Sequence, residues 1–161
     1  MNGTTKRRLA RPIAVLTLVV SLTIGLGVAV AIAQDEPSSE PGAARGLLVN
    51  LATDDTWTAN MAIGLATTAA AEGIETVLFL NVRGVYVADA GRLPDTAGNS
   101  EMNLHGRLQA LMQVGGQVVV CPMCSMEAGL PAEDYIDGVA MGEPGGVLAY
   151  LTDPDFTVIS Y

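Results

Sequence analysis

Lysine is almost missing from this 161-residue chain: Lys6 is its single example, and the rest of the basic side chains are arginine. Beyond residue 33, 4 basic side chains face 17 acidic ones, a formal charge of −13. Nothing there can neutralise several backbone phosphates, which excludes nucleic-acid binding through a basic patch. The acidity fits a soluble, self-repelling surface or an acidic docking face. Gly145-Gly146 lacks the surrounding glycines of a nucleotide loop, so no cofactor fingerprint is present. With two cysteines in the chain, no second Cys-x-x-Cys exists to complete a tetrahedral zinc site. His105 is the only histidine, and no Ser–His–Asp arrangement follows from spacing alone.

What is present begins with an export pattern. Lys6, Arg7, Arg8 and Arg11 form a basic start, Ile13 to Ala33 is uncharged, and Ala31-Ile32-Ala33 fits a small-residue cleavage site. The uncharged run exceeds the roughly 7–15 residues of a usual signal core and approaches the roughly 20 that span a bilayer. Residues 1–33 are thus expected to be a signal peptide or an N-terminal membrane anchor. Either way the folded part is expected outside the cytoplasm, periplasmic or extracytoplasmic, with membrane contact only through this segment if it is uncleaved. Residues 34–44, rich in Glu, Pro, Ser and Gly, read as a flexible linker. Residues 45–161 suffice for one domain with a real core and are too few for two.

Within that domain, short apolar runs alternate with helical patterns. GLLVNL (46–51), TVLFLNV (76–82), QVVV (117–120), GVAM (138–141) and TVIS (157–160) read as strands. The spacing predicts a helix from Thr56 to Glu72, with Trp57, Met61, Leu65 and Thr68 on one stripe and Gly73 as its stop. A second helix runs from Asn103 to Val114, a turn or two from Ser125 to Ala128 closes on Gly129, and another helix covers Pro144 to Leu151. Gly84 to Ala88 extends the second strand or begins a short helix, and Gly91 to Glu101 is a loop that can cover a site. This alternation predicts a three-layer α/β/α domain with a mostly parallel sheet of about five strands.

Cys121-Pro122-Met123-Cys124 follows the third strand at once. In such sheets, ligands and reactive groups gather beyond the carboxyl ends of strands. Unpaired N–H groups at a helix start favour a thiolate, lowering a thiol from about 8.5. Three residues apart, the two sulfurs can meet. The pair reads as a reactive thiolate or reversible disulfide, as a closed structural disulfide, or as two inert buried thiols. Met123 and Met126 beside Cys121 and Cys124 add a Cu(I) reading, because thiolate and thioether ligands select that ion, although methionines at helical spacing also fill cores. His105 is a base for the thiol, or a ligand, if its helix packs near the strand end; otherwise it is a surface residue. Asp54 and Asp55 form an acid pair or, after Thr53, helix caps. Asn50 and Asn81 end apolar strands and join Asp54 and His105 as candidate pocket residues.

The segments LLVNLATDD, VLFLNVRGV and VVVCPMCSMEAGL, followed by DGVAMG and TVISY, resemble the DsrE/DsrF-like family, the YchN-like fold of sulfur-relay proteins. The resemblance covers nearly all of residues 45–161. It implies that a cysteine at the end of the third strand carries a persulfide and hands sulfur to a partner protein, a sulfurtransferase-like relay. Family members often place a glycine eight residues after that cysteine; Cys121 and Gly129 match, so Cys121 inherits the carrier role before Cys124. The resemblance also implies assembly as trimers or hexamers, and donor or acceptor proteins as partners. Known relay members work mostly in the cytoplasm, where this chain departs from the pattern. The alternative from another class is a non-catalytic binding or assembly module, holding Cu(I) or its own fold through the two cysteines.

Overall fold

The computed structural model describes residues 45–161; the leader and linker expectations for residues 1–44 lie outside the described residues. Five parallel strands form one sheet: β1 (Gly46–Leu51), β2 (Glu75–Leu80), β3 (Gln117–Val120), β4 (Ala140–Met141) and β5 (Phe156–Ser160), in the order β4-β3-β2-β1-β5. The apolar runs pair in register, Leu48 with Val77 and Val158, and Leu80 with Val120. Parallel strands buried on both faces read as continuous hydrophobic runs, which is why these segments stood out.

Crossovers between neighbouring parallel strands are right-handed, so direction of travel decides which face a helix covers. From β1 through β4 the chain moves one way, over α1 (Thr56–Ala71), then a 3-10 helix (Val82–Ala88) with α2 (Leu104–Gln113), then α3 (Pro122–Ala128). From β4 it returns to β5 by way of α4 (Val147–Leu151). The reversal puts α4 on the opposite face, giving three layers of unequal weight. Leu47, Val49, Leu51, Leu78, Leu80, Val118 and Val120 join the helices of the first face in the main core. On the other face only Leu48, Val77 and Phe79 are buried, beneath Val147 and Tyr150 of α4.

The buried face of α1 does not follow the Trp57–Met61–Leu65 stripe, of which only Leu65 packs against the core. Trp57 and Met61 are 64% and 58% exposed, while Ala59, Ala62, Ile63, Ala66, Ala69 and Ala70 face the core. Small side chains let this helix lie close to the sheet, and Trp57 instead packs beside Gly98 of the 91–101 loop. Asp55, not Asp54, caps α1, its carboxylate accepting the Thr58 N–H at 2.9 Å. Asn103 caps α2 in the same way through Gly106. The 84–88 segment is helical, and Gly84 explains its position: a Cβ there would stand 2.1 Å from the Leu51 carbonyl oxygen. Only glycine lets the 3-10 helix cross the end of β1 so closely. Among the described residues, no helix is long and apolar enough to cross a membrane.

Candidate thiol site

β3 hands its last ladder bond to Cys121, whose N–H donates to the Leu80 carbonyl at 2.8 Å. The chain then turns directly into a helix that starts earlier than the Ser125 expected from sequence. Cys121 is its N-cap, with φ −68° and ψ 118°, and Pro122 opens the first turn, where a missing N–H costs nothing. The Cys121 Sγ accepts the Cys124 N–H at 3.3 Å. Gly129 closes the helix at φ 71°, a left-handed conformation that suits glycine.

Cys124 points back toward the 3-10 helix, where its Sγ accepts the Val82 N–H at 3.1 Å. Val82 holds φ 47°, the one non-glycine residue among those described with positive φ, and a strained choice for a β-branched side chain. Both cysteines are free and half-buried. Burial, then the neighbouring Cys121 sulfur, push the Cys124 thiol up from its ordinary value, with the Val82 N–H opposing them. The expectation that a helix start would lower both thiols therefore fails for Cys124: its sulfur turns toward Val82 and loses water there.

Beneath the turn, Ser125 donates its hydroxyl to the Cys121 carbonyl at 2.9 Å and accepts the Tyr135 hydroxyl at 2.7 Å. Ser125 and Tyr135 are 1% and 6% exposed. Tyr135 bridges to Asp89, just past the 3-10 helix, so this buried pair ties α3 to the segment that carries Val82.

The thiols open to different sides. Cys124, Val82, Arg83, Tyr86, Met123 and Glu127 line a wide groove of about 400 Å³. Cys121 lines a more enclosed cleft of about 330 Å³ between the sheet and α4. The other candidates line cavities that contain neither cysteine, although Asn81 directly precedes Val82. Asn81 donates to Asn50 at 2.7 Å, Asn50 donates to Ser160 at 3.3 Å, and all three line a separate small cavity. Asp54 and His105 line another, with Arg92 and Asp95. Burial lowers the His105 imidazole, partly offset by Asp89. Met123 and Met126 are 58% and 64% exposed. Among the described residues, no cluster of three or more His, Cys, Asp or Glu side chains gathers in a metal-binding arrangement.

Sequence reasoning passed over Arg83, Tyr86 and Arg92. Asp54 takes Arg83 in a two-pronged pair, at 2.9 Å to Nε and 2.7 Å to Nη2, and Arg92 at 3.4 Å. Both guanidiniums cover the Tyr86 ring, Arg92 at 3.7 Å and Arg83 at 5.5 Å. The Arg83 hydrogen bonds hold the Asp54 carboxyl below its ordinary value. A signal existed: two of the four cations beyond residue 33 fall within ten positions, directly after a strand.

Two curated relatives align over the domain. An uncharacterized protein of Methanocaldococcus jannaschii is 34% identical over 97 residues, 60% of this chain and 82% of that one. One of Methanopyrus kandleri is 32% identical over 94 residues, 58% and 74% of the respective chains. Among solved structures, a protein of unknown function from Methanobacterium thermoautotrophicum superposes with a TM-score of 0.58 at 17% identity, covering 71% of this chain and 97% of that one. The YchN protein of E. coli does so with a TM-score of 0.56 at 20% identity, over 72% and 99%. These two show the shared α/β fold. The DsrE/DsrF-like family model matches residues 30–160. The chain belongs to the DsrE/DsrF-like family, whose general function is of the sulfur-relay type or related to it.

Proposed function

We propose that this protein is an exported thiol-based sulfur carrier in which Cys121 holds a persulfide. The observation that supports this most is the pairing at the β3 end: Cys121 Sγ receives the Cys124 N–H at 3.3 Å, where a developing thiolate gains a hydrogen bond. The Cys121 thiolate attacks the outer sulfur of a donor persulfide R–S–SH; the new S–S bond forms, the donor S–S bond breaks, and R–S⁻ leaves with the electron pair. An acceptor thiolate then attacks the outer sulfur, and Cys121 departs as thiolate. If Cys124 instead attacks Cys121 Sγ, hydrosulfide leaves and a Cys121–Cys124 disulfide remains. Donor and acceptor proteins are its partners, and self-association into trimers or hexamers accompanies the family resemblance. The basic and apolar leader supports an extracytoplasmic site of action, cleaved or anchored.

Treatment with glutathione persulfide and intact-mass analysis test the carrier. One added sulfur, about 32 Da, is expected on wild type and on Cys124→Ser, and is expected to vanish in Cys121→Ser. Unmodified Cys121 in folded protein overturns the reading. Stoichiometric Cu(I) uptake requiring both cysteines, without any persulfide, favours the binding module instead.

A further inference from the structure

Three strands send the chain out over the main-core face, whereas β4 sends it over the opposite face into α4. β3 and β4 are neighbours, so their outgoing connections part to opposite sides. Such a divergence opens a crevice beyond the strand ends, the place where open parallel sheets bind ligands. The 330 Å³ cleft runs from that end back along the sheet face under α4, past Val119, Phe79 and Val77, and Cys121 lies in its wall.

The wall decides what can enter. Val77, Phe79, Val119, Met141 and Val147 make it apolar, and Glu143 at the rim is its only charged side chain. No cation reaches it; Arg83 lies in the other groove, with Cys124. An anionic sulfur donor would shed water there without a partner, beside a carboxylate, on a domain whose 14 acidic and 4 basic side chains already give a formal −10. A neutral alkyl compound loses nothing of the kind and gains the apolar contact. The volume stands at the low end of small-molecule sites, roughly 300–1,000 Å³, so the ligand is small.

Resting on the carrier reading, we infer that Cys121 draws its sulfur from a small, neutral, apolar polysulfane bound in the cleft between β3, β4 and α4. For a trisulfide R–S–S–S–R, the Cys121 thiolate attacks the central sulfur. A bond forms from Sγ to that sulfur, its bond to one outer sulfur breaks, and R–S⁻ leaves with the electron pair and takes a proton from water. Cys121 is left bearing –S–S–R, with no outside oxidant or reductant consumed.

The test compares dipropyl trisulfide with glutathione trisulfide on the full chain, following adducts at Cys121 by mass and dividing each rate by that of the same reagent with N-acetylcysteine. The normalised rate is expected to favour dipropyl trisulfide by at least about tenfold, as apolar pockets discriminate. Val147→Trp, which fills the cleft, is expected to remove the preference. Glu143→Gln, an exposed change that folding tolerates, is expected to narrow it by raising the glutathione rate alone. Equal normalised rates in wild type, or a preference untouched by Val147→Trp in folded protein, overturn the cleft while leaving the carrier standing. Cys121 inert to both reagents and to glutathione persulfide overturns both.

Discussion

The backbone N–H of Val82 points at Cys124 Sγ from 3.1 Å, and it does so from a left-handed conformation that valine resists. Such strain costs about 1–3 kcal/mol and persists only where the surroundings impose it. Here the neighbours are Gly84, pressed on the β1 end, and the Tyr135–Ser125 pair that ties this segment to α3.

Val82→Gly is expected to stabilise the fold by about 0.5–1 kcal/mol, since glycine accepts this φ freely. Val82→Pro can adopt neither the φ nor the hydrogen bond, and is expected to destabilise by about 2 kcal/mol or more. Urea titrations of the three proteins check the order, which a Val82→Gly midpoint below wild type would reverse.

Alkaline stability should report Cys124. Its folded thiol titrates above its ordinary value, so between that value and the folded one the native state keeps a proton that the unfolded chain has lost. The unfolded state then binds fewer protons, and stability falls as pH rises through this window. Thermal melts above pH 9 are expected to show a steeper decline in wild type than in Cys124→Ser. Tyr135, also pushed up by burial, adds its own decline above 10.0 in both proteins.

The Ser125–Tyr135 pair makes unequal demands on its members. Tyr135→Phe removes one donor and leaves Ser125 still bonded to the Cys121 carbonyl, at a cost of about 0.5–1.5 kcal/mol. Ser125→Ala strands a buried phenol hydroxyl as well, at about 1–3 kcal/mol. Chemical denaturation should rank Ser125→Ala as the more damaging; the opposite rank would place the pair's importance elsewhere.

Gly84→Ala forces a methyl group against the Leu51 carbonyl and is expected to cost about 2 kcal/mol or more. Because the 3-10 helix must lift, the Val82–Cys124 contact loosens with it. Cys124 alkylation at pH 8 should therefore change in this variant even under conditions where it remains folded.

Acid should expose the Asp54 cluster. Arg83 holds the Asp54 carboxyl below its ordinary 3.8, so the pair supports the fold above that pH and its contribution is lost as pH falls through the depressed value. Asp54→Asn is expected to flatten the stability curve below pH 4, and high salt should shrink the difference, since Arg83 is exposed and screened. A difference indifferent to salt would mean that packing, not charge, links these residues.

Strand positions were legible because a parallel sheet sandwiched between helices needs unbroken apolar runs, and 46–51 and 117–120 are such runs bounded by turn residues. Helix ends followed from Asn103 and Gly129, whose chemistry is local. The α1 stripe misled because period alone does not say which face is buried, and here closeness of approach favoured alanine over tryptophan. His105, Asp54, Asn50 and Asn81 all lie near strand ends or beside the connecting loops, yet none shares a cavity with a cysteine. Arg83 and Arg92 meet Asp54 only because strand order brings the β1 and β2 ends together.

The amino-acid order alone determined the alternation of strand and helix, the family, and the placing of two cysteines at the turn after β3, because each of these depends on near neighbours in the chain. Only the tertiary structure decided that the two sulfurs face different openings, that burial raises one thiol, and that α4 leaves an apolar cleft on its side of the sheet. Those properties come from which strands stand side by side and which face each crossover takes, and residues distant in sequence must meet before any of them exists.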